Sequence, residues 1–161
     1  MTEPAPFETE PMAIEPAWID YNGHLNMAYY NVLFDRAADE FLLRAGLGPD
    51  YVAERNMTFM TAEIHVCYLR ELFLTDPVRV TMRILDLDEK RMHVFAELVH
   101  ANEGWVSATS EQMYLHVDLV ARKTVPWPSD IDARLQALAA ATRGLPRPDR
   151  AGRRIGIVRK G

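Results

Sequence analysis

What most constrains this chain is one amphipathic stretch, Ala28 to Ala45, set between a polar turn and a series of alternating segments. Apolar residues recur at Tyr30, Leu33, Phe34, Ala37, Phe41 and Ala45, while Asp35, Arg36, Asp39, Glu40 and Arg44 fall largely between them. That spacing predicts a helix with one apolar face, which another layer must cover. Gly46 supplies a C-terminal stop and Pro49 a second barrier, so the helix is expected to run about five turns and about 27 Å. Downstream, Val78, Val80, Met82 and Ile84 alternate with Arg79, Thr81 and Arg83, and Met92, Val94, Ala96 and Leu98 repeat the pattern. A period of two predicts strands with one buried face. Asp88-Glu89 and Asn102-Glu103-Gly104 read as hairpin turns, Trp105 to Leu119 as a further long strand, Met57 to Leu69 as the strand before them, and Phe7 to Ile19 as a strand ahead of the helix. The order predicts an α+β fold in which a helix lies against an antiparallel sheet. Pro126-Trp127-Pro128 then breaks the sheet, Ser129 is placed to cap a second helix through Arg134, Leu135, Leu138 and Ala141, and the chain beyond Arg143 is basic and proline-rich.

The turn ahead of the long helix carries the chemistry. Trp18 and Ile19 read as a strand end, Asn22-Gly23 as a turn that tolerates positive φ, and Asn26 as an N-cap, so the helix is expected to begin near Met27. Free N–H groups and the positive end of the helix dipole then point back toward Asp20, favouring an anion or a polarised carbonyl oxygen there. A carboxylate facing an oxyanion site is the minimum kit for acyl transfer. On spacing alone, Asp20 equally fits a turn residue that hydrogen-bonds its own backbone.

Composition removes several other classes. A chain of 161 residues with 48% hydrophobic content suits one domain, burying roughly 70% of the surface the unfolded chain exposes. The single cysteine, Cys67, reads as a small buried strand residue; it precludes an internal disulfide and suits a reducing cytoplasm. A net charge of -5 and a pI near 5.5 argue against nucleic acid as the main partner. Met1 to Glu10 is acidic and proline-bearing, unlike a signal peptide or anchor, and no apolar run reaches the ~18 residues of a spanning helix, so no membrane partner is expected. No Gly-x-Ser-x-Gly elbow, glycine-rich phosphate loop or His-Glu-x-x-His motif occurs, and His65, His93, His100 and His116 are scattered, with His93 and His100 on opposite strand faces. Neither a metal nor a cofactor is expected.

The pattern Asp20-x-x-Gly23-His24-x-Asn26-x-x-x-Tyr30 followed by a helix resembles the signature of hotdog-fold acyl-CoA thioesterases of the 4-hydroxybenzoyl-CoA thioesterase type. Glu63 to Glu71 and Asp76 to Val80 are similar to that family's second strand and the start of its third. Trp18 to His24, Leu85 to Arg91 and Gly152 to Gly156 resemble the carnitine-catabolic subgroup, the betainyl-CoA thioesterases. The resemblance implies a hotdog domain over residues 1–125, with an antiparallel sheet of about five strands wrapped around one long helix, and a short helix with a basic tail over 126–161. It also implies hydrolysis of a short acyl-CoA, betainyl-CoA within the subgroup, by a homodimer or homotetramer with sites at the subunit interface. Medium-chain or aromatic acyl-CoA hydrolysis, or noncatalytic binding of an acyl-CoA or trimethylammonium compound, are the competing readings.

Residue by residue, the resemblance makes Asp20 the carboxylate that attacks the thioester carbonyl or activates water for that attack, and the backbone N–H of Met27 the donor to the thioester oxygen. His24 is then available to orient a water, to hold Asp20, or only to fix the turn, and Asn26 to cap the helix, contact substrate, or both. The 4-hydroxybenzoyl type has apolar residues where His24 and Asn26 stand, so neither inherits a role from it. Hotdog hydratases place four residues between an aspartate and a histidine and carry a proline; here three intervene and no proline is present. A trimethylammonium acyl group calls for aromatic faces with one carboxylate, for which Tyr21, Tyr30 and Tyr68 are the candidates. Glu63, mid-strand where charge is costly to bury, faces solvent or lines a polar pocket. Arg70, Arg91, Arg122, Lys123 and the tail residues Arg143, Arg147, Arg150, Arg153, Arg154, Arg159 and Lys160 are candidates for the CoA phosphates.

Overall fold

The computed structural model describes residues 3–159, so Lys160, one of the candidate CoA contacts, lies outside the described residues. Its centre is helix α1 (Tyr30–Leu43), whose buried face carries Tyr30, Leu33, Phe34, Ala37, Ala38, Phe41 and Leu42. That face packs on one side of an antiparallel sheet of β1 (Phe7–Glu8), β2 (Met57–Tyr68), β3 (Val78–Leu87), β4 (Arg91–His100), β5 (Val106–Asp118) and β6 (Lys123–Thr124). The strand order is β1-β3-β4-β5-β2, with β6 beside β5. Val78, Val80, Met82 and Ile84 on β3 and Met92, Val94, Ala96 and Leu98 on β4 are at most 5% exposed, so the period-two expectation holds along both strands. Each Å² of apolar surface that this helix-on-sheet contact removes from water stabilises the fold by about 25 cal/mol.

Four local readings are corrected. The helix is shorter than expected: Met27–Tyr29 forms a 3-10 turn, and the 14 residues of α1 span about 21 Å. The stretch from Phe7 to Ile19 is not one strand; only Phe7 and Glu8 pair with β3, Met12 makes an isolated bridge to Val78, and Pro16–Trp18 is a 3-10 turn. Pro11 and Pro16 lack the N–H that a ladder needs, which keeps this segment at the sheet edge. Pro49 is no barrier but the first residue of helix α2 (Pro49–Arg55), where its fixed φ suits a helix start. Ser129 does not cap helix α3 (Ser129–Ala140), whose cap position is Pro128 and has no side-chain bond.

Elements after the sheet are tied back by specific contacts. Ile131 and Leu135 of α3 are buried, and Arg55 of α2 makes a two-pronged pair with Asp130 at 2.9 and 2.7 Å. His116 is fully buried; its Nδ1 lies 3.0 Å from the carbonyls of Val125 and Pro126, so it is the donor there. Nε2 then accepts from the Tyr51 hydroxyl at 2.8 Å, which joins α2, β5 and the segment before α3. The tail crosses the outer face of the sheet, where Arg83 donates to the Pro146 carbonyl and the Gly152 N–H to Glu111. Cys67 is half-buried in β2, its sulfur 3.8 Å from His65.

Candidate active site

The turn is built by its own backbone and pinned from two sides. Ile19 and Leu25 form a short antiparallel bridge, the Asp20 N–H donates to the His24 carbonyl at 3.1 Å, and the Gly23 N–H returns to the Asp20 carbonyl at 3.0 Å. Gly23 sits at φ 85°, a conformation that costs a side-chain-bearing residue energy. The Leu25 N–H donates to the Leu72 carbonyl and the Asn26 N–H to the Trp18 carbonyl, at 2.8 and 2.9 Å. Asp20 uses one carboxylate oxygen as a turn acceptor, Oδ1 taking the Asn22 N–H at 2.8 Å. The second oxygen makes no hydrogen bond among the described residues. Both readings of Asp20 are therefore compatible in one side chain: one oxygen orients it and the other is free.

Asn26 caps the helix start, its Oδ1 accepting the Ala28 N–H at 3.0 Å. That leaves the Met27 N–H, first in the 3-10 turn, without a hydrogen-bond partner among the described residues. The Met27 carbonyl is held from across the site by the Tyr68 hydroxyl at 2.9 Å. Asp20 and Met27 line the same cavity of about 360 Å³, together with His24, Leu25, Tyr30, Tyr68, Leu69, Arg70 and Glu71. Helix start, turn and the end of β2 thus converge on one space.

The aromatic wall is a corner. Tyr30 and Tyr68 meet edge to face, with centroids 5.0 Å apart and planes at 84°. Burial raises the pKa of both phenols; for Tyr30 the neighbouring Ser107 side chain opposes the shift in part. Arg70 also lines the cavity, but its guanidinium lies over the Trp105 ring at 3.9 Å. The His24 imidazole makes no hydrogen bond to the Asp20 carboxylate among the described residues; the half-buried ring meets Phe73 edge-on at 6.3 Å.

Several candidates lie elsewhere. Tyr21 is 98% exposed and lines no part of this cavity. Glu63 belongs to a different cavity on the outer face of the sheet, with His65, His93, Glu111 and Arg153. The register shift between Thr61 and Glu63 sets this placement by pairing Glu63 with the outward Met113. Arg91 is paired with Asp88, Arg122 before β6 and Lys123 within it are exposed, and Arg143 and Arg147 line a third cavity with Arg83. None of these lines the Asp20 cavity. Asp35, Asp39 and Glu40 are exposed on α1, as their polar spacing predicts. Glu71 joins the site without being among the residues expected there, its only local signal being a charge beside Arg70 at the end of a strand pattern. Among the described residues, no group of three or more His, Cys, Asp or Glu side chains is arranged to hold a metal.

Residues 14–135, which include the turn, the helix and the strands, match the family profile described as the thioesterase-like superfamily. The chain belongs to this superfamily. Among curated relatives, this superfamily member is 40% identical over 146 residues to an L-carnitine dehydrogenase/betainyl-CoA thioesterase of Rhizobium meliloti, covering 91% of this chain but only 29% of that protein. It is 37% identical over 142 residues to a betainyl-CoA thioesterase of Pseudomonas aeruginosa, covering 88% of this chain and 89% of that one. Among solved structures, a Staphylococcus aureus protein in complex with CoA superposes with a TM-score of 0.91 at 26% identity, over 98% of this chain and 99% of that one. A candidate thioesterase of Pseudomonas putida KT2440 gives 0.83 at 34% identity, over 96% and 99%. The hotdog arrangement expected from the sequence is the fold of this thioesterase-superfamily member.

Proposed function

We propose that the chain hydrolyses an acyl-CoA thioester at the Asp20 turn, with betainyl-CoA as substrate and betaine and free CoA as products. The observation that carries this reading is the pairing, in one cavity, of a carboxylate with a free oxygen and a backbone N–H with no other partner. The Met27 N–H, in the 3-10 turn that leads into the positive end of α1, stabilises the negative charge that develops on the thioester oxygen. The Asp20 carboxylate either attacks the carbonyl carbon and expels the CoA thiolate, leaving a mixed anhydride that water opens, or takes the proton of a water that attacks directly. Tyr68 steadies the oxyanion site through the Met27 carbonyl, and Tyr30 and Tyr68 wall the acyl group. His24 contributes a wall and room for a water, and it holds Asp20 through its backbone carbonyl while its imidazole leaves the carboxylate free.

The choice of betainyl-CoA rests on the names of the Pseudomonas aeruginosa and Rhizobium meliloti relatives and on the aromatic corner, which suits a methylated ammonium. The reading includes a homodimer or homotetramer, supported by edge strand β2, whose Met60, Ile64 and Tyr68 are exposed, with Leu69 beside them. A cytoplasmic setting suits the single free thiol of Cys67, and no described helix is long and apolar enough to cross a membrane. The test is thiol release from betainyl-, acetyl-, octanoyl- and benzoyl-CoA, with wild type beside Asp20→Asn. Preference for betainyl-CoA with loss of activity in the variant is the expected result. Asp20-dependent turnover of another thioester would replace the substrate, and absence of any hydrolysis would refute the activity.

A further inference from the structure

We propose that Glu71 holds the positive end of a cationic acyl group and so selects a quaternary ammonium thioester over its neutral counterpart; this rests on the reading of the Asp20 cavity as the acyl site. Four titratable groups other than the two phenols line that cavity: Asp20, His24, Arg70 and Glu71. Asp20 has one oxygen bound to the Asn22 N–H, and its other oxygen is required for the chemistry. Arg70 is drawn aside onto the Trp105 ring. Glu71 makes no hydrogen bond or ion pair through its carboxylate among the described residues, and it lies near enough to Tyr30 for its charge to disfavour the phenolate. An uncommitted carboxylate beside two aromatic rings is the arrangement that favours a soft cation.

The hydroxyl groups of the corner strengthen the case. Tyr68 donates to the Met27 carbonyl, and the buried Tyr30 hydroxyl lies beside Ser107 and the Leu72 backbone. What they leave toward the cavity is ring surface, and a trimethylammonium, which has no N–H to donate, binds through charge and ring faces alone. In a betainyl thioester one methylene separates the carbonyl carbon from the charged nitrogen. A carbonyl held between Asp20 and the Met27 N–H therefore keeps the cation within the same cavity, beside Glu71. A unit charge about 5 Å away at an effective dielectric near 45 corresponds to about a tenfold preference.

Binding and turnover test this separately. Two thioether ligands that cannot be hydrolysed, S-(2-trimethylammonioethyl)-CoA and S-(3,3-dimethylbutyl)-CoA, have the same shape and differ in charge. Calorimetry on wild type should show the cationic ligand bound more tightly, with the Kd ratio falling about tenfold in Glu71→Gln and largely restored in Glu71→Asp. A ratio unchanged in Glu71→Gln, with a melting curve like that of wild type, overturns the proposal. Thiol release from betainyl-CoA and 3,3-dimethylbutyryl-CoA is the second readout, and the ratio of kcat/KM should fall in parallel. If wild type cleaves neither thioester but retains the charge-dependent ligand preference, the hydrolase reading falls while the role of Glu71 stands.

Discussion

Met27→Pro separates the oxyanion donor from everything else the turn does. Proline removes one atom group that matters, the N–H, and retains the carbonyl to which Tyr68 donates. Position 27 is the first residue of a 3-10 turn, where that N–H makes no hydrogen bond among the described residues, so no internal bond is lost. The preceding residue must be extended when a proline follows, and Asn26 already sits at φ -64°, ψ 141°. Met27 is 63% exposed, so loss of its side chain uncovers little core. Removing one oxyanion donor costs about 2.7–4 kcal/mol of transition-state stabilisation, a fall in kcat of about 10²–10³. Thiol release under saturating substrate should show that loss, with a melting temperature within a few degrees of wild type. Met27→Ala, which keeps the N–H, should stay close to wild-type kcat. A folded Met27→Pro enzyme within about threefold of wild-type kcat would refute the assignment of this N–H to the thioester oxygen.

Two predictions concern the elements around the site. Asn26→Ala deprives the Ala28 N–H of its acceptor and should cost about 1 kcal/mol, read as a melting shift of about 2–4 °C. Asp88, at the turn between β3 and β4, is hydrogen-bonded to Arg91 and to the backbone N–H of Lys90, which holds its pKa at about 2 against an ordinary 3.8. A depressed carboxyl stabilises the fold fully above its unfolded value and loses that contribution as pH falls from about 4 through 2. The side chain is 38% exposed, so solvent screening keeps the effect small. Urea unfolding between pH 5 and 2 should show a shallower decline in Asp88→Asn than in wild type, and parallel curves would contradict the role of this pair.

Features that depend on near neighbours are legible in the order of residues. The apolar spacing of α1, the alternation along β3 and β4, the capping of the helix start by Asn26 and the tight turn at Gly23 all follow from interactions within a few residues. So does the placement of Asp20 beside a helix N-terminus, because turn and helix are contiguous. Local rules failed where one residue type has two uses: Pro49 stops a helix in one context and starts one in another, and the apolar residues between Phe7 and Ile19 pattern like a strand that Pro11 and Pro16 cannot pair. Which distant residues share the site depends on long-range pairing. A register shift in β2 turns Glu63 to the outer face, Tyr21 projects into solvent, and the Leu25 to Leu72 hydrogen bond draws the end of β2 and Glu71 against the turn. Spacing along a chain fixes which face a side chain takes; which face meets which loop depends on pairings nearly fifty residues apart, and no local pattern encodes them.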